Sequence, residues 1–259
     1  MKPILKFFLK HYLRFFARLS IAINKPIVIA VSGSINMLFA KEAIKKILTQ
    51  NNYKIHTNVK NFNTAIGMPL TILNLPSAYS SYHNWIPIML HAPKKIFLHR
   101  ETEILILNYG TSNPGDIKDL LKIAKPNIAV ICNLTKRHLE GFSDMGQLAG
   151  EYQCLINSLN NDGLVVLNND NRRLHDLALK TKKTKITFSI KRKSDYQVTD
   201  IVKTKQGMSF SVIKNSKNIS NIQTKRHGEH HIYAALIATI VNDHVKQKIN
   251  KTKRKTTPD

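Results

Sequence analysis

Four short apolar runs constrain this chain more than any other feature: 27–31 (IVIAV), 104–107 (ILIL), 128–132 (IAVIC) and 164–167 (LVVL), with helix-patterned segments between them. Runs of four or five β-branched and leucine residues without polar alternation require burial on both faces. Two-sided burial means a parallel sheet covered by helices. Pro26 opens the first run, Ser32-Gly33-Ser34 follows it, and an amphipathic stretch then continues through Leu48. The second run leads to a turn at Asn113-Pro114-Gly115-Asp116 and a helix to about Ala124. A further helix, about Leu148 to Leu159, ends at Asn160-Asn161-Asp162-Gly163 before the fourth run. Strand and helix alternate, so the connections are crossovers of one hand.

From Lys185 to Ile222 the pattern shortens and alternates, as in ITFSI and MSFSVI, which predicts antiparallel strands at one edge. A last helix covers about His230 to Val245. The expected fold class is α/β, a mostly parallel sheet flanked by helices in a P-loop-like arrangement, with a small antiparallel edge. Three segments follow: a basic amphipathic helix over 1–25, the α/β domain over 26–243, and a basic, disordered tail over 244–259 carrying Lys246, Lys248, Lys251, Lys253, Arg254 and Lys255.

Charge narrows the partners. With 40 Lys and Arg against 16 Asp and Glu, the formal charge is +24, which attracts phosphate-rich surfaces. Nucleic acid qualifies only as a nonspecific partner, because no recognised nucleic-acid-binding motif stands in the sequence. Cys132 and Cys154 give no disulfide framework and fit a reducing, cytoplasmic setting. Lys2, Lys6, Lys10, Arg14 and Arg18 recur every four residues among Phe7, Phe8, Leu9, Leu13, Phe15, Phe16 and Leu19. No charge-free stretch there approaches the ~20 residues of a spanning helix. Two placements fit: a helix lying in the headgroups of an anionic membrane, peripheral at its inner face, or a helix docked on its own domain.

The chemistry rests on collinear motifs. PLTILNLP (69–76), GTSNPGDIKDLLKIAKPNIAVICNLTKRHLEGF (110–142) and GLVVLNNDN (163–171), with IVIAVSGS (27–34), NTAIGMPL (63–70) and GEHHIYAALIA (228–238), together resemble the central domain of the Mur ligase family. The resemblance is nearest to its UDP-N-acetylmuramoyl-tripeptide:D-alanyl-D-alanine ligase branch. It implies ATP and Mg²⁺ as cofactors and activation of a carboxylate as an acyl phosphate, which an amine then attacks.

Position by position, the resemblance also implies losses. The family's phosphate loop, Gly-Ser/Thr-x-Gly-Lys-Thr, reads here as Gly33-Ser34-Ile35-Asn36-Met37-Leu38, so the lysine is Met37 and the Mg²⁺-binding hydroxyl is Leu38. The metal-binding glutamate is Asn108, the carbamylated lysine aligns with Tyr152, and the glutamate of the Asn-x-Glu-Ile-Gly segment is Ala65. The adenine-side pattern Gly-x-His-Asn-x-x-Asn has His231 and Ala234 at its asparagines. A nucleotide-binding remnant stays in place: Ser32, Gly33, Ser34, Asn133, Asn168, Asp170 and His230. Lys41, one turn beyond Met37, is the candidate replacement cation. His138 matches a metal-ligand histidine, but one ligand does not make a site.

His227, His230 and His231 are also spaced for zinc, but a capped helix start with surface histidines accounts for them better, since Glu229 points elsewhere and no second ligand cluster appears in the sequence. The family's C-terminal domain would begin near residue 245, and the chain ends at Asp259. The expectation is a truncated, degenerate Mur-ligase-like chain without bound ATP–Mg²⁺ and without activity. The alternatives are a functional subunit completed by a partner chain of the same pathway, and a basic membrane- or nucleic-acid-binding module that reuses the fold.

Overall fold

The computed structural model describes residues 3–57, 62–78, 83–97, 101–137, 139–215 and 217–256. Nine strands form one sheet in the order β2-β3-β1-β4-β5-β6-β7-β8-β9. They are β1 (Ile27–Ser32), β2 (Ile55–Thr57), β3 (Ile104–Tyr109), β4 (Ile128–Ile131), β5 (Leu164–Asn168), β6 (Lys185–Ser189), β7 (Tyr196–Thr204), β8 (Gly207–Lys214) and β9 (Lys217–Thr224). Every pair from β2 to β7 is parallel, and β7-β8-β9 is an antiparallel meander.

The apolar runs are continuous because the pleat sends alternate residues into two separate cores. Val28, Ala30, Leu105, Leu107, Ala129, Ile131, Val165 and Leu167 face one cluster. Helices α1 (Pro3–Asn24), α3 (Gly67–Ile72), α4 (Trp85–His91), α5 (Asp116–Leu121), α6 (Met145–Asn157) and α7 (Arg172–Lys180) contribute to that side. Ile29, Val31, Ile104, Ile106, Ile128, Val130, Leu164 and Val166 face the other, beneath α2 (Met37–Gln50) and α8 (Glu229–Thr256).

Helix α1 docks on its own domain through Leu9, Leu13 and Ala17, each at most 1% exposed. Burying the two leucines alone contributes about 3–6 kcal/mol. Polar contacts fix its angle: the Tyr12 hydroxyl donates to the Met89 carbonyl at 2.9 Å, and the Ser20 hydroxyl to the Ile96 carbonyl at 3.1 Å.

Two expectations need correction. ITFSI does not begin the antiparallel edge, since β6 pairs parallel with β5. The reason is α7, a crossover helix whose sequence RRLHDLALK is mostly polar and buries only Leu174, Leu177 and Ala178. The segment expected as a disordered tail continues α8 to Thr256. Val245 is fully buried, Ile249 packs on the core, and Lys248 Nζ lies 2.9 Å from Asp162 Oδ2, so the helix stays anchored past the expected end.

Candidate active site

Parallel α/β sheets bind ligands beyond the carboxyl ends of their strands, where the crossover direction reverses. Here the chain leaves β1 towards β2 and β3 on one side and resumes at β4 on the other, so that point lies between β1 and β4. The strand-end residues gathered there are Ser32, Asn108, Tyr109, Cys132, Asn133 and Asn168. None carries a charge.

The loop from β1 to α2 is stitched to the loop after β4. Ser34 N donates to the Asn133 carbonyl at 2.8 Å, and the Ser34 hydroxyl lies 3.2 Å from Thr135 N and 3.3 Å from the Thr135 carbonyl. Gly33 has φ +137°, and a Cβ there would lie 3.0 Å from the backbone N and O of Asn133. Glycine is therefore required by this close approach. Ser32, fully buried, donates to the Tyr109 carbonyl at 2.6 Å and ties β1 to β3.

Asn36, directly before α2, has φ 68° and ψ 4°, the left-handed conformation that glycine adopts freely and asparagine best tolerates among other residues. The loop thus keeps a glycine-type backbone without the glycine. Met37 packs against the core cluster beneath α2, and Leu38 is 45% exposed. Lys41 is wholly enclosed on the same face of α2 as Ala40, Ile44 and Leu48, with Nζ 4.0 Å from Glu42 Oε1. Burial lowers its pKa, Glu42 opposing and Lys45 adding to the shift.

Tyr152, on α6, is 1% exposed, with its hydroxyl close to the Ser34 hydroxyl. Burial pushes its phenol up to about 12; the nearby Ser34 hydroxyl pulls the other way, while Cys132 and Glu151 add to the rise. Its ring therefore sits against the loop at the mouth of the β1–β4 crevice. Asn108 is buried one residue before the end of β3, paired in register with Val31.

The retained polar residues hold the strand ends together. Asn168 Nδ2 donates to the Cys132 carbonyl at 3.3 Å and Asn168 Oδ1 accepts from Asp170 N at 3.0 Å. Asn171 caps α7 and also bonds Asn133 Oδ1 and the Leu134 carbonyl. The Asp170 carboxylate accepts from the amides of Ile190 (2.6 Å), Arg192 (3.0 Å) and Lys191 (3.1 Å), and from the Tyr233 hydroxyl at 2.9 Å. His230 stacks with His231 at 4.1 Å and with Phe39 at 4.6 Å, closing over the start of α2. Among the described residues, no three His, Cys, Asp or Glu side chains cluster to hold a metal. His138 lies outside the described residues.

Of the residues singled out from sequence, Ser32, Asn108, Asn133 and Asn168 lie at or just past the ends of β1, β3, β4 and β5, Tyr152 lies on α6, and Lys41 lies one turn into α2 on its buried side. The sequence reading missed Phe39 as a stacking partner, although Phe39 two residues after Met37 is an apolar ring at an exposed helix start. It also missed a cavity of about 340 Å³ lined by Lys6, Lys10, Asn63, Ala65, Gly110 and Asp116. Gly110 lies against the Asn63 side chain at its wall, so that a Cβ there would displace the Asn63 amide.

A model of the Mur ligase middle domain matches residues 35–242. This chain belongs to the Mur ligase family. It is similar to the UDP-N-acetylmuramoyl-tripeptide–D-alanyl-D-alanine ligases of Bacillus subtilis (29% identical over 212 residues, 82% of this chain and 40% of the relative) and of Buchnera aphidicola subsp. Baizongia pistaciae (31% over 216 residues, 83% and 41%). Its fold matches the MurF ligase of Thermotoga maritima in complex with ADP, with TM-score 0.72, 21% identity, and 90% and 48% of the two chains covered. MurF from Acinetobacter baumannii gives TM-score 0.70 at 18% identity, covering 92% and 46%. The chain thus spans about half the length of the relatives it matches. Mur ligases serve peptidoglycan synthesis and depend on ATP and Mg²⁺.

Proposed function

We propose that this chain is a Mur-ligase-type domain that keeps the family's fold but does not perform phosphoryl transfer or ligation. The observation that carries this reading is the Tyr152 side chain, buried against Ser34 at the position where the resemblance requires a carbamylated lysine. A phenol can neither form a carbamate nor, at a pKa raised to about 12, offer an anion to a metal near neutral pH.

The surrounding residues argue in the same direction. A phosphate loop works by turning free backbone amides, a lysine and a hydroxyl towards the anion. Here the Ser34 amide is used by Asn133, Met37 packs on the core, and Leu38 has no oxygen. Lys41 is enclosed, and Asn108 supplies a neutral carbonyl where Mg²⁺ needs a carboxylate. The residues present do not fit Mg²⁺–ATP. What remains is a set of hydrogen bonds that hold the fold: Ser32, Asn133, Asn168 and Asp170 fasten neighbouring strand ends.

The test is a turnover assay. With ATP, Mg²⁺ and the substrates named for the relatives, the purified chain releases no ADP or phosphate above the blank, while a MurF ligase run in parallel does. Release above the blank overturns the proposal, as does ligation restored by mixing with a second chain that supplies other ligase parts.

A further inference from the structure

We infer that the outward face of α1, together with the exposed face of α4, is a membrane-contact surface that rests on anionic lipid. The sequence left two placements for the N-terminal helix, and the structure shows that they are not exclusive. Docking uses only the side of α1 that carries Leu9, Leu13 and Ala17. The opposite side keeps Ile4, Phe7, Phe8 and Phe15 between 59 and 72% exposed. Four large apolar side chains on one face of a helix about 33 Å long exceed the scattered exposure expected of a solvated surface.

A second exposed apolar pair lies on α4, which Tyr12 reaches through the Met89 carbonyl: Ile86 is 59% and Leu90 69% exposed. Charge selects the occupant. Helix α1 contains no acidic residue, and Glu42 is the only one in the first hundred residues. Arg14 and Arg18 lie along one flank of the aromatic face, while Lys10 pairs with Asp119 and Lys6 lines the cavity beside it. Rings at acyl-chain level with cations beside them at phosphate level is the geometry of a helix lying in an anionic interface. Two copies meeting through this face would bring two such stripes together and repel. No helix among the described residues is long and apolar enough to cross a membrane, so the contact is made by a face.

Flotation of the full chain with vesicles tests this. Vesicles of phosphatidylglycerol and phosphatidylcholine carry the protein at 150 mM salt, and pure phosphatidylcholine carries at least tenfold less. The triple substitution Phe7→Ser, Phe8→Ser, Phe15→Ser leaves the circular dichroism spectrum unchanged, since these rings are exposed, and lowers binding at least tenfold. Arg14→Gln with Arg18→Gln lowers it too. Equal flotation with both vesicle types overturns the inference, as does full binding by the triple variant together with displacement by an oligonucleotide of equal phosphate content. It also fails if the wild type sediments as a dimer that the triple variant abolishes while neither binds lipid. Because the reading of the nucleotide site does not enter, each can fail without the other.

Discussion

Truncating Tyr152 to alanine removes a ring that is 1% exposed and packed against the loop after β1. Aromatic-to-alanine changes in cores cost about 3–5 kcal/mol. Tyr152→Phe keeps the ring and removes only the hydroxyl and its contact with Ser34, a loss of about 0.5–1.5 kcal/mol. The lower end applies, because Ser34 retains Thr135 as a partner at 3.2–3.3 Å and is not orphaned. With a urea slope of about 2 kcal/mol/M, the alanine variant shifts the unfolding midpoint down by about 1.5–2.5 M and the phenylalanine variant by less than about 0.75 M. The alkaline limb separates them further. Burial raises the phenol from 10.0 to about 12, so the unfolded chain gives up this proton first. The associated stability is complete below pH 10 and is lost as pH rises from 10 to 12, about 2–3 kcal/mol across the window. Tyr152→Phe lacks that loss. Equal midpoints for the two variants, or an alanine cost under about 1 kcal/mol, would refute the claim that this side chain fills and seals the crevice.

Three other outcomes follow from local geometry. Asn36→Gly leaves thermal stability unchanged or raises it slightly, whereas Asn36→Ala lowers it by about 1 kcal/mol, because φ 68° penalises a Cβ; equal melting temperatures would contradict the left-handed assignment. Asp170→Ala costs about 2–4 kcal/mol in chemical denaturation, since three amides and the Tyr233 hydroxyl lose one acceptor, and a cost under 1 kcal/mol would show that water replaces it readily. Asp119 titrates near 2 in an NMR pH series, held down by hydrogen bonds from Lys10 and then Lys122. Its stability is present above pH 3.8 and lost as pH falls towards 2. With the side chain 34% exposed the effect is at most about 1 kcal/mol, and Lys10→Gln moves the titration upward.

The parallel core was legible because its strands are buried on both faces, which writes uninterrupted apolar runs at 27–31, 104–107, 128–132 and 164–167. Where burial is one-sided or slight, the signal faded. Helix α7 shows three buried residues among nine, and β2 is three residues long with each half-buried, so neither announced itself. The end of α8 was misread because lysine-rich composition suits both a solvated tail and a helix, and only Ile249 and the Lys248–Asp162 contact decide between them. Candidate site positions came from collinear motifs, since asparagine, methionine and tyrosine carry no catalytic pattern of their own. What those residues do was hidden from sequence. The enclosure of Lys41 depends on α8 packing along α2, and the approach of Tyr152 to Ser34 on α6 reaching the β1–α2 loop from the other face of the sheet. The double character of α1 needed the docked face to be known before the exposed one could be seen.

Titration of the purified chain with ATP and Mg²⁺ in a calorimeter tests the central claim most directly. A site whose lysine, hydroxyl and carboxylate positions are methionine, leucine and asparagine predicts no heat beyond dilution, so that any dissociation constant is weaker than about 1 mM, or about 4 kcal/mol of binding. A saturable isotherm with a micromolar constant, about 8 kcal/mol, would contradict it.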